Sequence, residues 1–277
     1  MRALREVVAL VYREVIWFKR FIGEFAFTWV FPLFFALAVI GLPATVSGFN
    51  TVLSRFSEVL GLEVSPGEAL LVVIVSSSVL NVVATVMGDV LQTLYFEFRT
   101  EETINTVLLA TTITRYAVAT ATVRPVIMAV FTTLYMLVAF VAFEGLAGFS
   151  TYSLTLIPLL LSSICLGFLS ASVATVSYYY LGIKRPWAIT GLLTPAILAG
   201  SGVFMPLKLV PWYLRLIAQA TPVPYTTEAL RLIVIAVPSF IEHFKLYAPV
   251  IAAFYAAYYA LAFSATKVSE RKVKSGW

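Results

Sequence analysis

Apolar residues run along this chain in long blocks separated by short polar ones. Six blocks are long enough to cross about 30 Å of hydrocarbon at about 1.5 Å per residue. They cover 22–43, 68–93, 117–143, 153–180, 187–205 and 245–266. Ahead of them, residues 2–20 carry a helical period. Leu4, Val7, Val8, Val11, Val15 and Phe18 share one face, and Arg2, Glu6, Arg13 and Arg20 share the other. That pattern predicts an amphipathic helix lying flat at the cytoplasmic headgroups; packing on a soluble partner is the alternative. Pro32, Pro125, Pro158 and Pro195 fall within the blocks, where a kink is tolerated if neighbours re-satisfy the backbone.

The pattern breaks again at TPVPYTTEALR, Thr221 to Arg231. Pro211 to Ala220 predicts a short helix opening on a proline. The TPVP run stops it, because proline cannot continue a helix and biases the preceding residue toward extended backbone. A second helix is expected from about Thr227 to Pro238, with Glu228 in its first turn facing the positive end of the dipole. At about 20 Å it is too short to cross. The pair is therefore expected to dip into the outer leaflet and return, an external re-entrant hairpin over 206–240. Glu228 and Arg231, three residues apart, can pair on one face.

Composition fits this reading. Of 277 residues 61% are hydrophobic and 12% charged, against about 25% charged in a soluble domain; mean hydropathy is +0.95. The expected fold class is an all-α polytopic membrane protein in one domain, with six transmembrane helices, the interfacial helix (1–21) and the outer hairpin. The net charge of +5 points to cytoplasmic loops rather than to nucleic acid. With both termini inside, thirteen Lys and Arg fall on the cytoplasmic side and five outside, while Arg124 lies within a span. No cleavable signal is expected, since a charged helix precedes a long first block. The lone Cys165 allows no intrachain disulfide and reads as a small apolar residue. His243 reads as a loop residue with no metal-ligating neighbours. No G-x-x-x-x-G-K-[ST] loop, nucleophile–base set or metal cluster occurs. The chain is thus expected to bind no cofactor and to be no enzyme.

GVFMPLKLVPWYLRLIAQATPVPYTTEALR, Gly202 to Arg231, resembles the closing signature of ABC exporter permeases of the type-two class. The residues that carry the resemblance are Gly202, Phe204, Pro206, Pro211, Trp212, Pro222, Tyr225, Glu228, Ala229 and Arg231. The order of spans and the amphipathic first helix are similar as well. A second segment, Phe96 to Tyr116 within the cytoplasmic region 94–116, looks like the coupling helix on which a separate ATPase docks. Glu101, Glu102, Thr103, Ile104, Leu108, Leu109, Thr111, Thr114 and Arg115 fit there; Glu102, Asn105 and Thr112 stand where the family usually has Gly, an acid and Pro. A short helix with two adjacent leucines suits a groove on a soluble partner, and a plain solvated turn is the alternative. The resemblance implies a plasma-membrane export subunit that works as a homodimer or beside a related permease. Two ATPase chains would carry the ATP and Mg, and the first and fifth spans would line the route. It also implies cargo of the drug, lipid or glycan type.

Three charges fall at membrane depth near the inner ends of their spans: Glu24, Asp89 and Arg124. They are expected either to close the inner mouth of a pathway or to snorkel to the headgroups. Ser76 to Ser78 and Asn81 form a polar patch that lines a pathway or joins helices. Tyr178 to Tyr180 and Trp187 read as an inner aromatic belt. The rival function is a secondary transporter with Glu24 and Asp89 as ion carriers. Both, however, lie near one surface rather than at the midplane.

Overall fold

A computed structural model of the chain describes residues 2–26, 34, 38, 42–60, 64–100, 105–107, 111–185, 187–204, 207–235 and 237–274. Among the described residues the fold is helical throughout, with no strand. Most of the first expected span, 22–43, lies outside them. Three helical runs are long and apolar enough to cross a membrane: Pro66–Arg99, Ile113–Tyr179 and Ile241–Arg271.

Helix α1 (Arg2–Ala26) is followed by two short helices, α2 (Leu42–Ser47) and α3 (Phe49–Leu60). Helix α4 (Pro66–Arg99) is longer than its apolar block. It starts at a capping box: the Glu68 amide donates to Ser65 Oγ at 3.4 Å and the Ser65 amide to Glu68 Oε2 at 2.8 Å. Pro66 suits the first turn, where its missing N–H costs nothing. Its 34 residues extend about 50 Å, more than the about 30 Å of a hydrocarbon core, and its last turns carry Glu97.

The Ile113–Tyr179 run is a hairpin. Helices α5 (Ile113–Thr132) and α6 (Leu134–Glu144) go one way, and α7 (Gly148–Tyr179) packs back along both. Gly145, at φ +63°, makes the reversal through one 3₁₀ turn. The break between α5 and α6 falls at Thr132–Thr133 rather than at Pro125. Both threonine hydroxyls donate to carbonyls one turn back, at 2.7 and 2.6 Å, a bond that bends helices. Pro125 has a different consequence. It cannot donate to the Ala121 carbonyl, and the backbone of α7 comes in against that group. A β-carbon at Gly167 would sit 2.1 Å from the Ala121 oxygen. Gly167→Val is therefore expected to force α7 off α5 and destabilise the chain by about 1–3 kcal/mol. Thermal unfolding in detergent checks this, and an unchanged midpoint would deny the close approach.

Helix α7 is the central element, packed on α4, α5, α6 and α11. Helix α8 (Trp187–Gly200) is shorter than the expected fifth span: its 14 residues reach about 21 Å. It ends where Gly202, at φ +82°, turns the chain. After a 3₁₀ turn at Leu207–Leu209 come α9 (Trp212–Gln219), α10 (Val223–Ile235) and α11 (Val237–Lys274). Helix α10 begins four residues before the expected Thr227. Pro224 sits in its first turn, where proline is tolerated, so Glu228 lies past that turn and not within it. Helix α11 is also longer than its block and contains His243, which is helical rather than in a loop.

The polar patch of α4 joins helices. Ser77 and Ser78 donate to the Ile74 carbonyl at 2.7 Å, and Ser78 also meets the Tyr135 hydroxyl of α6. Cys165 is buried in α7. The aromatic residues where α4 and α7 end and α8 begins pack on one another: Phe98 lies 5.5 Å from Tyr179, and Phe96 stacks on Trp187 at 6.4 Å.

Candidate functional site

Two clusters of polar side chains stand out. The first joins α1, α4 and α5. Arg124, in the middle of α5, is 2% exposed. Its Nε donates to Glu14 Oε2 at 2.8 Å, and its Nη1 donates to Asp89 Oδ2 at 2.8 Å and to the Thr93 hydroxyl. The guanidinium carbon lies 3.7 Å above the Trp17 ring, a stacked cation–π geometry that suits arginine. Two turns toward the helix ends, Arg13 bonds Glu97 and the Tyr116 hydroxyl, and Tyr116 in turn donates to Glu97. Burial opposes the charge on Arg13, but Glu97, Tyr116 and Glu14 outweigh it and raise its pKa above the ordinary arginine value. Three carboxylates and two guanidiniums thus share one network across three helices.

Sequence reasoning placed Asp89 and Arg124 at similar depth, and the structure brings them together. Their third partner is Glu14, which that reasoning missed; the Glu24 side chain lies outside the described residues. The signal for Glu14 existed. On a helical wheel it falls beside Val7, Val11 and Phe18, on the apolar stripe. The face of α1 that packs on α5 is rotated away from the expected one. Glu14 is buried and Leu10, Trp17 and Phe18 are half-buried, while Val8 and Val15 are exposed. Phe18 meets Phe131 edge to face at 4.8 Å. Arg13, expected on the solvated face, is half-buried in the network.

The second cluster is the stretch from Gly202 to Arg231. Arg231, buried on α10, donates from Nη2 to the carbonyls of Gly202 and Val203, the latter at 3.4 Å. Its Nη1 lies 3.6 Å from Glu228 Oε1. Arg215 caps the turn before α9 through the Val210 carbonyl at 2.8 Å. The Thr221 hydroxyl donates to the Ala218 carbonyl at 2.7 Å, and the Val223 amide donates to it at 3.4 Å, bridging the break. Tyr258 of α11 donates to the Ala220 carbonyl. Tyr225 packs on Tyr247 and Phe254 at 5.7 and 6.0 Å. A β-carbon at Gly200 would meet the Leu214 carbonyl oxygen at 2.0 Å, so α8 and α9 touch backbone to backbone. Pro222 precedes α10 and Pro211 caps α9, leaving Trp212, Tyr213, Leu216 and Ile217 exposed on an apolar face. Phe204 is exposed too; Pro206 lies outside the described residues.

In the expected docking region, Glu101, Glu102, Thr103, Ile104, Leu108 and Leu109 lie outside the described residues. Thr111 and Arg115 are described. Thr112, standing where the resemblance has proline, is the N-cap of α5: the Arg115 amide donates to its hydroxyl at 3.2 Å. Among the described residues no group of three or more His, Cys, Asp and Glu side chains could hold a metal ion.

The chain matches no family model, and no curated protein or solved structure is significantly similar to it.

Proposed function

We propose that this chain is the membrane-spanning permease subunit of an ATP-binding cassette exporter. It spans the plasma membrane several times with both termini inside. It works as a homodimer or beside a related permease, and two separate ATPase chains supply the hydrolysis. Cargo is hydrophobic or amphipathic, of the drug, lipid or glycan type; the two charges at depth on α4 and α5, Asp89 and Arg124, are held by each other. The observation that carries the reading is the pairing of Arg231 with the Gly202 carbonyl. The first and last residues of the signature-like stretch hold each other across 29 positions. Its short helices and exposed apolar face suit an outer-leaflet hairpin, where irregular backbone must be buried in protein. Of the two carboxylates that the rival reading, an ion-coupled transporter, would use, Asp89 is engaged by Arg124 at 2.8 Å, and the Glu24 side chain lies outside the described residues.

Purification in mild detergent tests the proposal. Wild-type protein is expected to bring down an ATPase chain with ATP hydrolysis, and Leu108→Arg with Leu109→Arg is expected to lose both. A chain that purifies alone and supports gradient-driven flux in liposomes would shift the assignment to the ion-coupled class.

A further inference from the structure

Where the start of α5 meets the end of α11 there is a cleft of about 350 Å³. Thr112, Thr114, Arg115, Lys267, Glu270 and Arg271 line it, with Phe263 at its apolar edge. Lys267 and Arg271 bring two cations to the cleft against Glu270, which accepts a hydrogen bond from the Thr114 hydroxyl at 3.1 Å. Lys267 and Arg271 are exposed. The cleft therefore offers an anion more positive charge than its own carboxylate neutralises.

Helix α11 continues from the cleft as an apolar ladder. Tyr255, Tyr259, Phe263 and Lys267 follow one another at four-residue spacing, so they stand on one face. The Tyr255 and Tyr259 rings stack at 6.4 Å, Tyr259 and Phe263 at 6.1 Å, and Lys267 Nζ lies 5.3 Å above the Phe263 ring. Phe168 of α7 props the ladder from one side, 5.4 Å from both tyrosines. The other side is open: the three rings are 37–41% exposed. A basic cleft that continues into an exposed aromatic stripe on an apolar helix has the two halves of a lipid site. One half pairs with a phosphate and the other covers a chain.

We propose that this cleft binds the phosphate of an anionic lipid headgroup, with an acyl chain laid along Tyr255, Tyr259 and Phe263. A free phosphate shares the headgroup chemistry, but it would leave the ladder uncovered. The inference rests on the reading of α11 as a membrane helix and not on any ATPase partner.

Native mass spectrometry of the detergent-purified chain is the test, titrating phosphatidylglycerol, phosphatidylcholine and inorganic phosphate in parallel. Wild-type protein is expected to retain phosphatidylglycerol over phosphatidylcholine, and inorganic phosphate is expected not to displace it. Lys267→Gln with Arg271→Gln should weaken retention by about fivefold per charge, the effect of one cation at an anionic surface. Lys184→Gln with Arg185→Gln, an exposed basic pair away from the cleft, should leave retention unchanged. Tyr259→Ala should weaken long-chain lipid more than a short-chain analogue. Equal losses in both double variants would overturn the site in favour of diffuse charge. Displacement by inorganic phosphate alone would assign the cleft to a soluble anion. Unchanged lipid retention in the Lys267→Gln with Arg271→Gln variant would overturn the cleft as the headgroup site. Because lipid is read on the chain without a partner, failure here leaves the exporter assignment standing, and failure of that assignment leaves this test intact.

Discussion

Arg124→Leu is expected to destabilise the chain by about 3–5 kcal/mol, the usual cost of removing one member of a buried ion pair. The reason is what it leaves behind. Glu14 is 3% exposed and Asp89 21% exposed, and both lose their closest cation. Arg13 is no substitute: it lies 3.6 Å from Glu14 and is already held by Glu97 and Tyr116. Arg124→Lys should fall between wild type and Arg124→Leu. An ammonium keeps the charge but cannot reach Glu14 and Asp89 through separate nitrogens while lying flat on Trp17. Adding Glu14→Gln and Asp89→Asn to Arg124→Leu should restore much of the loss, because the remaining groups no longer bury unpaired charge. Thermal unfolding in detergent gives all three values. Arg124→Leu at wild-type stability would show that water reaches the carboxylates, and the network would then not hold α1 to α4 and α5.

The restored triple variant also separates structure from transport. If the cluster only fastens α1 to α5, the variant works. If it closes the inner mouth, the variant folds but leaks or stalls. Charge reversal at Asp89 probes the same point from the other side, since it places a cation beside Arg124. The gate reading expects transport to vanish while membrane insertion persists.

How much of this was legible in the sequence differs from element to element. Apolar block length marked α4, α7 and α11 and the α5–α6 pair, because burial in lipid or protein demands the same continuous run; most of the first block lies outside the described residues, and the fifth holds only the 14-residue α8. It misjudged their ends. Helix α4 begins at the capping box around Ser65 and Glu68, a polar signal that a hydropathy reading passes over. The start of α10 was missed for a related reason: Pro224 was read as a breaker, whereas the Thr221 hydroxyl bridges the break and lets proline sit in a first turn. The charged cluster was half visible. Asp89 and Arg124 stood out as charges at depth, but Glu14 was read as part of a helix lying alone at a surface. A helix packed on a neighbour turns the side chain that pairs inward, even when the neighbouring stripe is greasier. The bond joins positions 110 residues apart, and no local pattern encodes it.

Arg231→Met should produce the second large effect, about 2–4 kcal/mol, by removing a charged donor from two buried carbonyls. The chain turns at Gly202 because glycine accepts φ +82° there. Arg231 then donates to the carbonyls of both Gly202 and Val203. Glu228 contributes much less. It is 31% exposed and 3.6 Å from Arg231, so Glu228→Gln should cost under about 1 kcal/mol, as exposed pairs do. The contrast between these two variants is the informative measurement, since a simple surface ion pair would make them equal. Trypsin provides an independent readout at Lys208, which is exposed beside the turn. Freeing the Gly202 turn should speed cleavage there in Arg231→Met and leave it unchanged in Glu228→Gln. In sealed vesicles that cleavage should occur only with trypsin on the side opposite the termini if the hairpin lies in the outer leaflet. Cleavage from the side of the termini would place α9 and α10 on the inner face and remove the outer hairpin from the proposal.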